Sequence, residues 1–231
     1  MKSLNILSGG AAQGLVAGLA PTFEARTGFE IRGEFGAVGG MADKLRNGIA
    51  ADIIILTAAL VAKLTEEKLV VASSIADVGV VETALAVRSG DPKVAAKDAD
   101  DLRNTFVAAD AIFVPDIKAS TAGIHVANVL KRLGIADEVA ARLKIYPNGA
   151  TAMRELAASN AKRPIGCTQS TEIISTKGVE LSGVLPNGYE LATMYTAAVT
   201  ASAANAAIAQ ALIGLLVGAE ADDARRRAGF L

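Results

Sequence analysis

The sequence lacks the residues that most metal, redox and disulfide sites require. Its 231 residues include one cysteine, Cys167, one histidine, His125, and no tryptophan. A single cysteine excludes an intrachain disulfide, and one histidine with one cysteine does not supply a His/Cys zinc site. We therefore predict no metal and no cofactor. Cys167 lies in an apolar segment, and we expect it to be a packing residue rather than a nucleophile.

A dominant charge and a membrane-length apolar run are also missing. The chain has 23 Lys and Arg against 24 Asp and Glu, for a net charge of −1, so the concentrated basic face that binds nucleic acids is not predicted. The apolar stretch AAIAQALIGLLVGA (206–219) is shorter than the roughly 20 residues that span a bilayer, and we interpret it as a buried helix. We expect a monomer with no nucleic-acid partner and no membrane insertion.

The amino-terminal segment bears on localisation. The first residues, MKSLNILSGG, contain no apolar run of signal-peptide length before the glycine pair. As written, the sequence predicts a cytoplasmic protein. The alternative is a periplasmic protein whose leader has been removed.

Aliphatic residues in short, regularly spaced runs are what the chain does contain. Hydrophobic residues make up 52% of the sequence and aromatic residues 4%, which is typical of an ordered globular protein. The β-like runs alternate with helical segments, as in parallel βαβ units, so the predicted fold class is α/β. The predicted strands are LNIL (4–7), FEIRGEF (29–35), ADIIIL (51–56), AIFVP (111–115), LKIYP (143–147) and RPIGCT (163–168).

Two extended runs interrupt this alternation and predict a division into lobes. VVETALAVRSG (80–90) and YELATMYTAAV (189–199) have no helix of their own, as expected of strands that pass between two lobes. We predict lobe one as residues 1–82 and 198–231 and lobe two as residues 83–197, each a mostly parallel sheet flanked by helices. Ligands of such folds bind beyond the carboxyl ends of the strands and in clefts between lobes.

Four strand-to-helix turns are built from small or hydroxylated residues and contain no Lys or Arg. The first amides of a helix lack intrahelical partners and carry partial positive charge. Glycine allows a ligand to approach the backbone, and Ser and Thr add hydroxyl donors. Turns that converge would form a cage of neutral donors suited to an oxyanion or a carboxylate. The turns are Ser8-Gly9-Gly10-Ala11, Ala37-Val38-Gly39-Gly40, Ser120-Thr121-Ala122-Gly123 and Thr168-Gln169-Ser170-Thr171, with a fifth around Tyr146, Asn148 and Gly149.

Ordinary capping is the alternative interpretation of each turn. Ser and Thr are common N-cap residues, and Gly is a common turn residue. A single turn of this kind favours capping alone. Four in one chain, two in each predicted lobe, favour a shared binding site.

The chain resembles the periplasmic molybdate-binding proteins of ABC importers in the register LSGGAAQGLVAGLAPTFEARTG…GAVGGMADKLRNGIAADIIIL, followed by STAGIHVANVLKRLG and RPIGCTQSTEI. More broadly, it is similar to type 2 periplasmic binding proteins over nearly its whole length. The resemblance implies two α/β lobes, two hinge strands and a ligand held between the lobes by backbone amides and hydroxyls. The implied hinges coincide with the two extended runs.

The turns and the resemblance together predict the ligand-binding residues. Two departures from the molybdate binders remove donors for a tetrahedral oxyanion: a loop usually rich in Ser reads Ala37-Val38-Gly39-Gly40, and Gln169 replaces a Tyr. A larger organic anion, such as a di- or tricarboxylate, therefore fits at least as well. The predicted residues are Ser8, Gly9, Gly10, Val38, Gly39, Gly40, Ser120, Thr121, Ala122, Gly123, Asn148, Thr168 and Gln169.

Three functions are compatible with this resemblance. The first is a solute-binding protein that holds an oxyanion such as molybdate, or an organic carboxylate, by hinge closure and delivers it to the membrane subunit of an ABC transporter. The second is an isomerase acting on a small polycarboxylate, because proteins similar to the molybdate binders include an aconitate isomerase. The third is a cytoplasmic ligand sensor.

An isomerase would need a base near an acidic C–H group. Glu34, at the end of the second predicted strand, and His125 are the two candidates. The alternatives are that Glu34 points to solvent and that His125 faces outward or satisfies a helix cap. Two further side chains each have two possible roles. Arg88 either pairs with a ligand carboxylate or lies in a solvated turn, and Tyr195 either donates a hydrogen bond to a ligand or packs against other side chains.

Overall fold

Strands and helices alternate through most of the chain, which confirms the predicted α/β class. The computed structural model describes residues 2–231. The strands are β1 (Lys2–Gly9), β2 (Phe29–Gly36), β3 (Ile53–Thr57), β4 (Ala76–Arg88), β5 (Ala111–Pro115), β6 (Leu143–Tyr146), β7 (Pro164–Gln169), β8 (Val179–Val184) and β9 (Ala192–Val199). The helices are α1 (Gln13–Thr27), α2 (Val38–Arg46), α3 (Ala58–Glu66), α4 (Ala99–Ala108), α5 (Thr121–Arg132), α6 (Ala136–Val139), α7 (Gly149–Ala158), α8 (Ser170–Ser175), α9 (Ala206–Val217) and α10 (Asp222–Ala228).

The chain divides into two compact units. Unit 1 contains the chain up to Val81 together with Thr193–Leu231, and unit 2 contains Glu82–Ala192. The predicted boundaries between the two lobes lie after residues 82 and 197. The second division comes earlier because residues 195–199 of β9 pair with β3, which makes them part of the unit 1 sheet.

The unit 1 sheet has the strand order β2-β1-β3-β9. The first three strands are parallel, and β9 runs antiparallel to β3. β3 reads Ile-Ile-Ile-Leu at positions 53–56, and all four side chains are fully buried, as expected of a strand covered on both faces. Parallel strands end at a common edge, so the turns that follow β1, β2 and β3 lie on one side of the sheet.

The unit 2 sheet is built around parallel β6, β5 and β7, with β4 antiparallel to β7 and β8 antiparallel to β4. One hydrophobic cluster contains Leu85, Cys167 and Val126 of α5, and another contains Ala84 and Met153 of α7. Because neighbouring residues of a strand point to opposite faces, α5 and α7 cover opposite faces of this sheet. The carboxyl ends of β5, β6 and β7 share one edge.

The apolar stretch near the carboxyl terminus forms α9. Its buried residues include Leu212, Ile213 and Leu216, which pack in the hydrophobic core of unit 1. Across residues 2–231, none of the helices combines the length and apolar character that a membrane span requires.

Candidate functional site

The carboxyl ends of β1 and β2 bring two of the predicted turns together in unit 1. Gly9 and Gly36 end these strands and are register partners. A Cβ atom on Gly9 would lie 2.7 Å from Cγ1 of Val38 and 2.9 Å from Cε1 of Tyr195. Glycine is needed here because these distances leave no room for a side chain. The turn Ser8–Gly10 therefore lies directly against the start of α2.

The start of α2 presents backbone amides that the helix does not use. Ala37 is extended and has no side-chain group that could cap the helix, and the first intrahelical bond runs from the Met41 amide to the Ala37 carbonyl oxygen at 3.0 Å. The amides of Val38, Gly39 and Gly40 precede this bond and so have no partner within α2. They form the positive end of the helix dipole.

Two hydroxyl groups lie at the same edge of unit 1. Ser8 is fully buried, and its hydroxyl donates to the Gly9 carbonyl oxygen at 2.9 Å. Thr193 lies beyond the end of the pairing between β9 and β3, where Thr57 is opposite Tyr195. Thr193 and Tyr195 share a face because they are two residues apart in a strand. Within residues 2–231, the hydroxyl of Thr193, a residue only 9% exposed, has no hydrogen-bond partner.

In unit 2, the predicted turn Ser120–Gly123 lies at the carboxyl end of β5, where α5 begins. The loop before it is held by Asp116, whose Oδ1 accepts the amides of Lys118 and Ala119 at 2.7 and 3.0 Å. The Ser120 amide donates to the Asp116 carbonyl oxygen at 3.0 Å. The start of α5 is thus fixed at the sheet edge by contacts within its own loop.

Buried side chains with unpaired polar atoms are the most distinctive feature of unit 2. For the part of the chain that the structure describes, no hydrogen-bond partner exists for Oγ1 of Thr83, Oγ1 of Thr171, or Nε2 and Oε1 of Gln169. These residues are 1%, 2% and 3% exposed, respectively. We call Thr83, Thr171 and Gln169 the unpaired set. A buried polar group without a partner costs about 1–3 kcal/mol.

Two members of the unpaired set stand side by side. Thr83 and Gln169 are register partners on antiparallel β4 and β7, so their side chains lie on the same face of the sheet. Cys167 shares that face, which α5 covers. Gln169 is the last residue of β7, at the carboxyl edge. A buried amide left unpaired at this position is expected where a ligand supplies its partners.

The buried carboxyl group of Glu172 binds the first backbone amides of α7. Its carboxyl group accepts the Thr168 hydroxyl at 2.6 Å and the backbone amides of Gly149, Ala150 and Gln169. A Cβ atom on Gly149 would lie 1.8 Å from Oε2 of Glu172 and 2.2 Å from Oγ1 of Thr168, so only glycine fits. Burial raises the pKa of Glu172 above its usual value, and the hydrogen bonds offset part of this rise.

The first turn of α7 is therefore occupied by the protein's own groups. Besides Glu172, the side-chain oxygen of Asn148 accepts the Thr151 amide at 2.8 Å. Ligand contacts of Asn148 and Thr168 stay predictions, and in the structure both side chains serve α7 and Glu172. The sequence analysis missed Glu172. The sequence indicates a role for Glu172 only through its spacing. Glu172 follows Thr168 by four residues, and this spacing brings two side chains together where a helix begins.

The two candidate bases both have protein partners. Glu34 lies on the edge strand β2, its side chain is 50% exposed, and it forms an ion pair with Lys44. Nε2 of His125 lies 2.7 Å from the Tyr189 carbonyl oxygen, and the nitrogen donates this bond. Their catalytic role stays a prediction.

Arg88 forms its hydrogen bonds within unit 2, and Cys167 is buried there. The Arg88 guanidinium donates to the carbonyl oxygens of Ser159 and Ala161 and pairs with Asp91 at 3.1 Å. Burial raises the pKa of the Cys167 thiol to about 12, which keeps it protonated and unreactive at neutral pH. Among residues 2–231, no group of His, Cys, Asp or Glu is placed to hold a metal ion.

A cavity of about 270 Å³ lies elsewhere in unit 2. Its lining includes Pro164 and Ile165, at the amino end of β7, and Val87 and Val94. The cavity contains neither the predicted residues nor the unpaired set, and it lies at the opposite end of β7 from Gln169.

The sequence matches a known family over nearly its whole length. The family is described as bacterial extracellular solute-binding protein, and the match covers residues 4–231. The chain is also similar to an aconitate isomerase from a Pseudomonas species. The two are 24% identical over an aligned length of 239, and the alignment covers 99% of this chain and 87% of that protein.

Solved structures of periplasmic binding proteins have a similar fold. The Azotobacter vinelandii periplasmic molybdate-binding protein aligns with a TM-score of 0.81 at 19% identity, over 99% of this chain and 98% of that one. The sulfate-binding protein SubI from Mycobacterium tuberculosis H37Rv aligns with a TM-score of 0.76 at 19% identity, over 100% of this chain and 86% of that one. This likeness concerns the fold, and it confirms the predicted periplasmic-binding-protein class.

Proposed function

The chain belongs to the family of bacterial extracellular solute-binding proteins, and we propose that it binds a small anion through neutral donors at the carboxyl edges of its sheets. The observation that carries this proposal is the presence at those edges of buried polar side chains left unpaired within residues 2–231. They are Thr193 in unit 1 and the unpaired set in unit 2.

An anion suits these groups better than a neutral solute does. The amides of Val38, Gly39 and Gly40 stand at the positive end of α2, and the turn that contains them has no Lys or Arg. Helix N-termini bind anions through such amides without a full counter-charge. The names of two structural relatives, a molybdate binder and a sulfate binder, support the same chemistry. Organic carboxylates fit it as well.

Uptake is the role that this family membership supports. In our proposal the protein works outside the cytoplasm and delivers its anion to the membrane subunit of an ABC transporter. This replaces the cytoplasmic localisation expected from the first residues with the periplasmic alternative. Residues at the carboxyl edges are the proposed ligand contacts: Ser8, Gly9, Gly10, Val38, Gly39, Gly40, Ser120, Thr121, Ala122, Gly123, Asn148, Thr168 and Gln169.

Thermal unfolding with a panel of anions tests the proposal. The panel contains molybdate, tungstate, sulfate, phosphate, citrate, tricarballylate, malate and succinate, each as the sodium salt against a sodium chloride control. A ligand present at 100 times its Kd stabilises the folded chain by about 2.7 kcal/mol, which is readily seen as a rise in melting temperature. If none of these anions raises the melting temperature, the proposal fails.

Two variants locate the binding groups in the two units. Thr193→Val and Gln169→Met remove an unpaired group from unit 1 and unit 2, respectively, without adding charge. Each is expected to weaken binding of the same anion by tenfold or more in a calorimetric titration, since a lost hydrogen bond to a charged group is worth about 1.5–3 kcal/mol. Gln210→Met, at an exposed position of α9, is the matched control and should leave the affinity unchanged.

Isomerisation of a small polycarboxylate is the second candidate function. It is favoured by the similarity to an aconitate isomerase, which extends over 99% of this chain. Such a reaction moves a proton, and a base must reach an acidic C–H group. Glu34 and His125 remain the proposed bases.

Proton exchange separates the second candidate from the first. Proton NMR of cis- or trans-aconitate incubated with the protein in D₂O would show loss of exchangeable C–H signals and formation of the other isomer. Glu34→Gln and His125→Gln identify the base if one of them abolishes exchange while aconitate still raises the melting temperature. Aconitate that raises the melting temperature but shows neither exchange nor conversion to the other isomer over many hours rejects the isomerase.

A further inference from the structure

The buried amide of Gln169 restricts which anion can fit best. Both of its polar atoms are unpaired within residues 2–231, and the residue is only 3% exposed. The Nε2 group donates two hydrogen bonds, and Oε1 accepts two. A ligand that pairs with both atoms therefore contributes an acceptor and a donor at adjacent positions.

An anion composed only of acceptor oxygens meets half of that requirement. Its oxygen can accept from Nε2, but a second oxygen would then face Oε1, and two acceptors without a proton between them repel each other. The neighbouring Thr83 hydroxyl, which is also in the unpaired set, can donate or accept. It therefore adapts to the ligand, whereas the amide does not.

We propose that the ligand is an anion that also carries a hydrogen-bond donor, and that Oε1 of Gln169 accepts a hydrogen bond from this donor. The chemical class comprises hydroxycarboxylates and oxyanions that keep a proton near neutral pH, such as hydrogen phosphate. Sulfate, molybdate and carboxylates without a hydroxyl group are the weaker ligands of this site. The inference rests on the proposed anion-binding function and deepens it.

The backbone that carries the Gln169 amide is held at a fixed place. Gln169 ends β7, and its backbone is paired in register with Thr83 of β4. On the other face, the preceding residue, Thr168, is bonded to Glu172 at 2.6 Å. A site that hydrogen-bonds a ligand hydroxyl rejects the analogue without it, because the protein group is then left buried and unpaired.

Matched pairs of anions test the inference by calorimetric titration. Citrate is compared with tricarballylate, and L-malate with succinate, since the members of each pair differ by one hydroxyl group. Phosphate is compared with sulfate at pH 6.5, where phosphate is largely monoprotonated or diprotonated and sulfate carries no proton. We expect the donor-bearing member of one pair to bind at least tenfold more tightly. The pair that shows the preference identifies whether the donor is a hydroxyl or an acidic proton.

Variants assign the preference to Gln169. In Gln169→Met the ratio of affinities within that pair is expected to fall towards one, whereas Thr83→Val should lower both affinities and keep a preference. A preference that persists in Gln169→Met overturns the assignment. The melting temperature of Gln169→Met without anion should equal or exceed that of the parent chain, since an unpaired amide is removed. A fall of several degrees would show that the amide is bonded within the protein and would also overturn the inference.

The titrations distinguish failure of this inference from failure of the proposed function. Equal binding of both members of every pair rejects the donor requirement and leaves anion binding intact. Binding of molybdate or tungstate without binding of any of the six titrated anions also rejects only the donor requirement. No binding of any of the eight anions in the thermal-unfolding panel rejects both.

Discussion

Gly149 lies against the buried carboxyl group of Glu172 near the unit 2 edge. Glu172 is 5% exposed and accepts hydrogen bonds from Thr168 and three backbone amides. The Gly149 and Ala150 amides are among the donors that the first turn of α7 cannot pair within the helix, and Glu172 accepts them. Here the acid comes from another element of the same unit, so it also ties α8 to α7.

Gly149→Ala is expected to destabilise the protein by roughly 1–3 kcal/mol, the usual cost of overpacking a buried position. The added methyl group would lie within 2.2 Å of both Glu172 Oε2 and Thr168 Oγ1, so the carboxyl group must leave its place. Chemical denaturation measures the change.

Gly18→Ala is the matched control for this substitution. Gly18 lies in α1, and no atom of a described residue outside its own helix turn comes within 4 Å of a Cβ placed there. Alanine is the better helix former, so this variant should gain about 0.5–1 kcal/mol. Equal effects of the two substitutions would contradict the packing argument.

Glu172→Gln is expected to change how stability depends on pH. Because burial raises the pKa of Glu172 in the folded chain, the folded state keeps a proton that the unfolded state has released. The contribution of Glu172 to stability is therefore full below the unfolded pKa and is lost as pH rises through the folded pKa. The loss amounts to about 1.4 kcal/mol for each unit of pKa difference.

The measurement compares unfolding free energies of the parent chain and Glu172→Gln between pH 4 and pH 8. The parent chain should lose stability relative to the variant as pH rises, whatever the constant difference between them. Glu66→Gln, at an exposed position, controls for the loss of one carboxylate. A difference that grows in favour of the parent chain at high pH would show that Glu172 is ionised more easily in the folded state.

At the scale of elements, the start of α2 carries the argument for anion binding in unit 1. The extended Ala37 leads into a helix whose first three amides lie beside Gly9 at the end of β1. The sequence analysis assigned residues 37–40 to a strand-to-helix turn. The helix begins within that turn, at Val38, which makes Val38 and Gly39 part of its first turn.

Val38→Pro removes one of these amide donors and leaves the helix able to form. Proline is favoured at the first helical position, and Ala37 already has φ −62° and ψ 132°, as the residue before a proline requires. We expect affinity for the anion to fall roughly tenfold or more, because a hydrogen bond to a charged group is lost. Val38→Ala keeps the amide and removes the side chain, so it should retain more affinity. Equal affinities of the two variants would contradict a role of this amide.

Most elements could be predicted because each is signalled within a few neighbouring residues. AIFVP at 111–115 coincides with β5, and α5 begins at Thr121, within the predicted strand-to-helix turn at 120–123. β8 and α4 were missed, since Val179–Val184 mixes polar and apolar residues and Ala99–Ala108 follows no apolar strand. Of these two, β8 forms only through its pairing with distant β4, which a local pattern does not reveal.

At the scale of the whole molecule, local sequence patterns also predicted only part of the candidate site. The turns at Gly9, Val38 and Thr121 were predictable because glycine and hydroxyl residues mark strand-to-helix connections. Thr83 and Thr193 were not, because a threonine inside a strand becomes notable only when its neighbours across the sheet are known. Gln169 was predicted as a ligand contact from its turn, but its pairing with Thr83 needed the register of β4 and β7.

Neutral donors, rather than cations, are the central feature of this account. The chain has a net charge of −1, and the four predicted turns have no Lys or Arg. An anion attracted by surface charge would instead gather at clusters such as Arg225–Arg227 in α10. The two mechanisms therefore place the ligand at different backbone amides.

Titration of the ¹⁵N-labelled protein with the anion that most raises its melting temperature distinguishes these mechanisms directly. The account predicts that the largest amide shift changes occur at Gly9, Gly10 and residues 38–40, together with the side-chain NH₂ group of Gln169. Changes confined to Arg226, Arg227 and other exposed cations, with those amides unaffected, would contradict it.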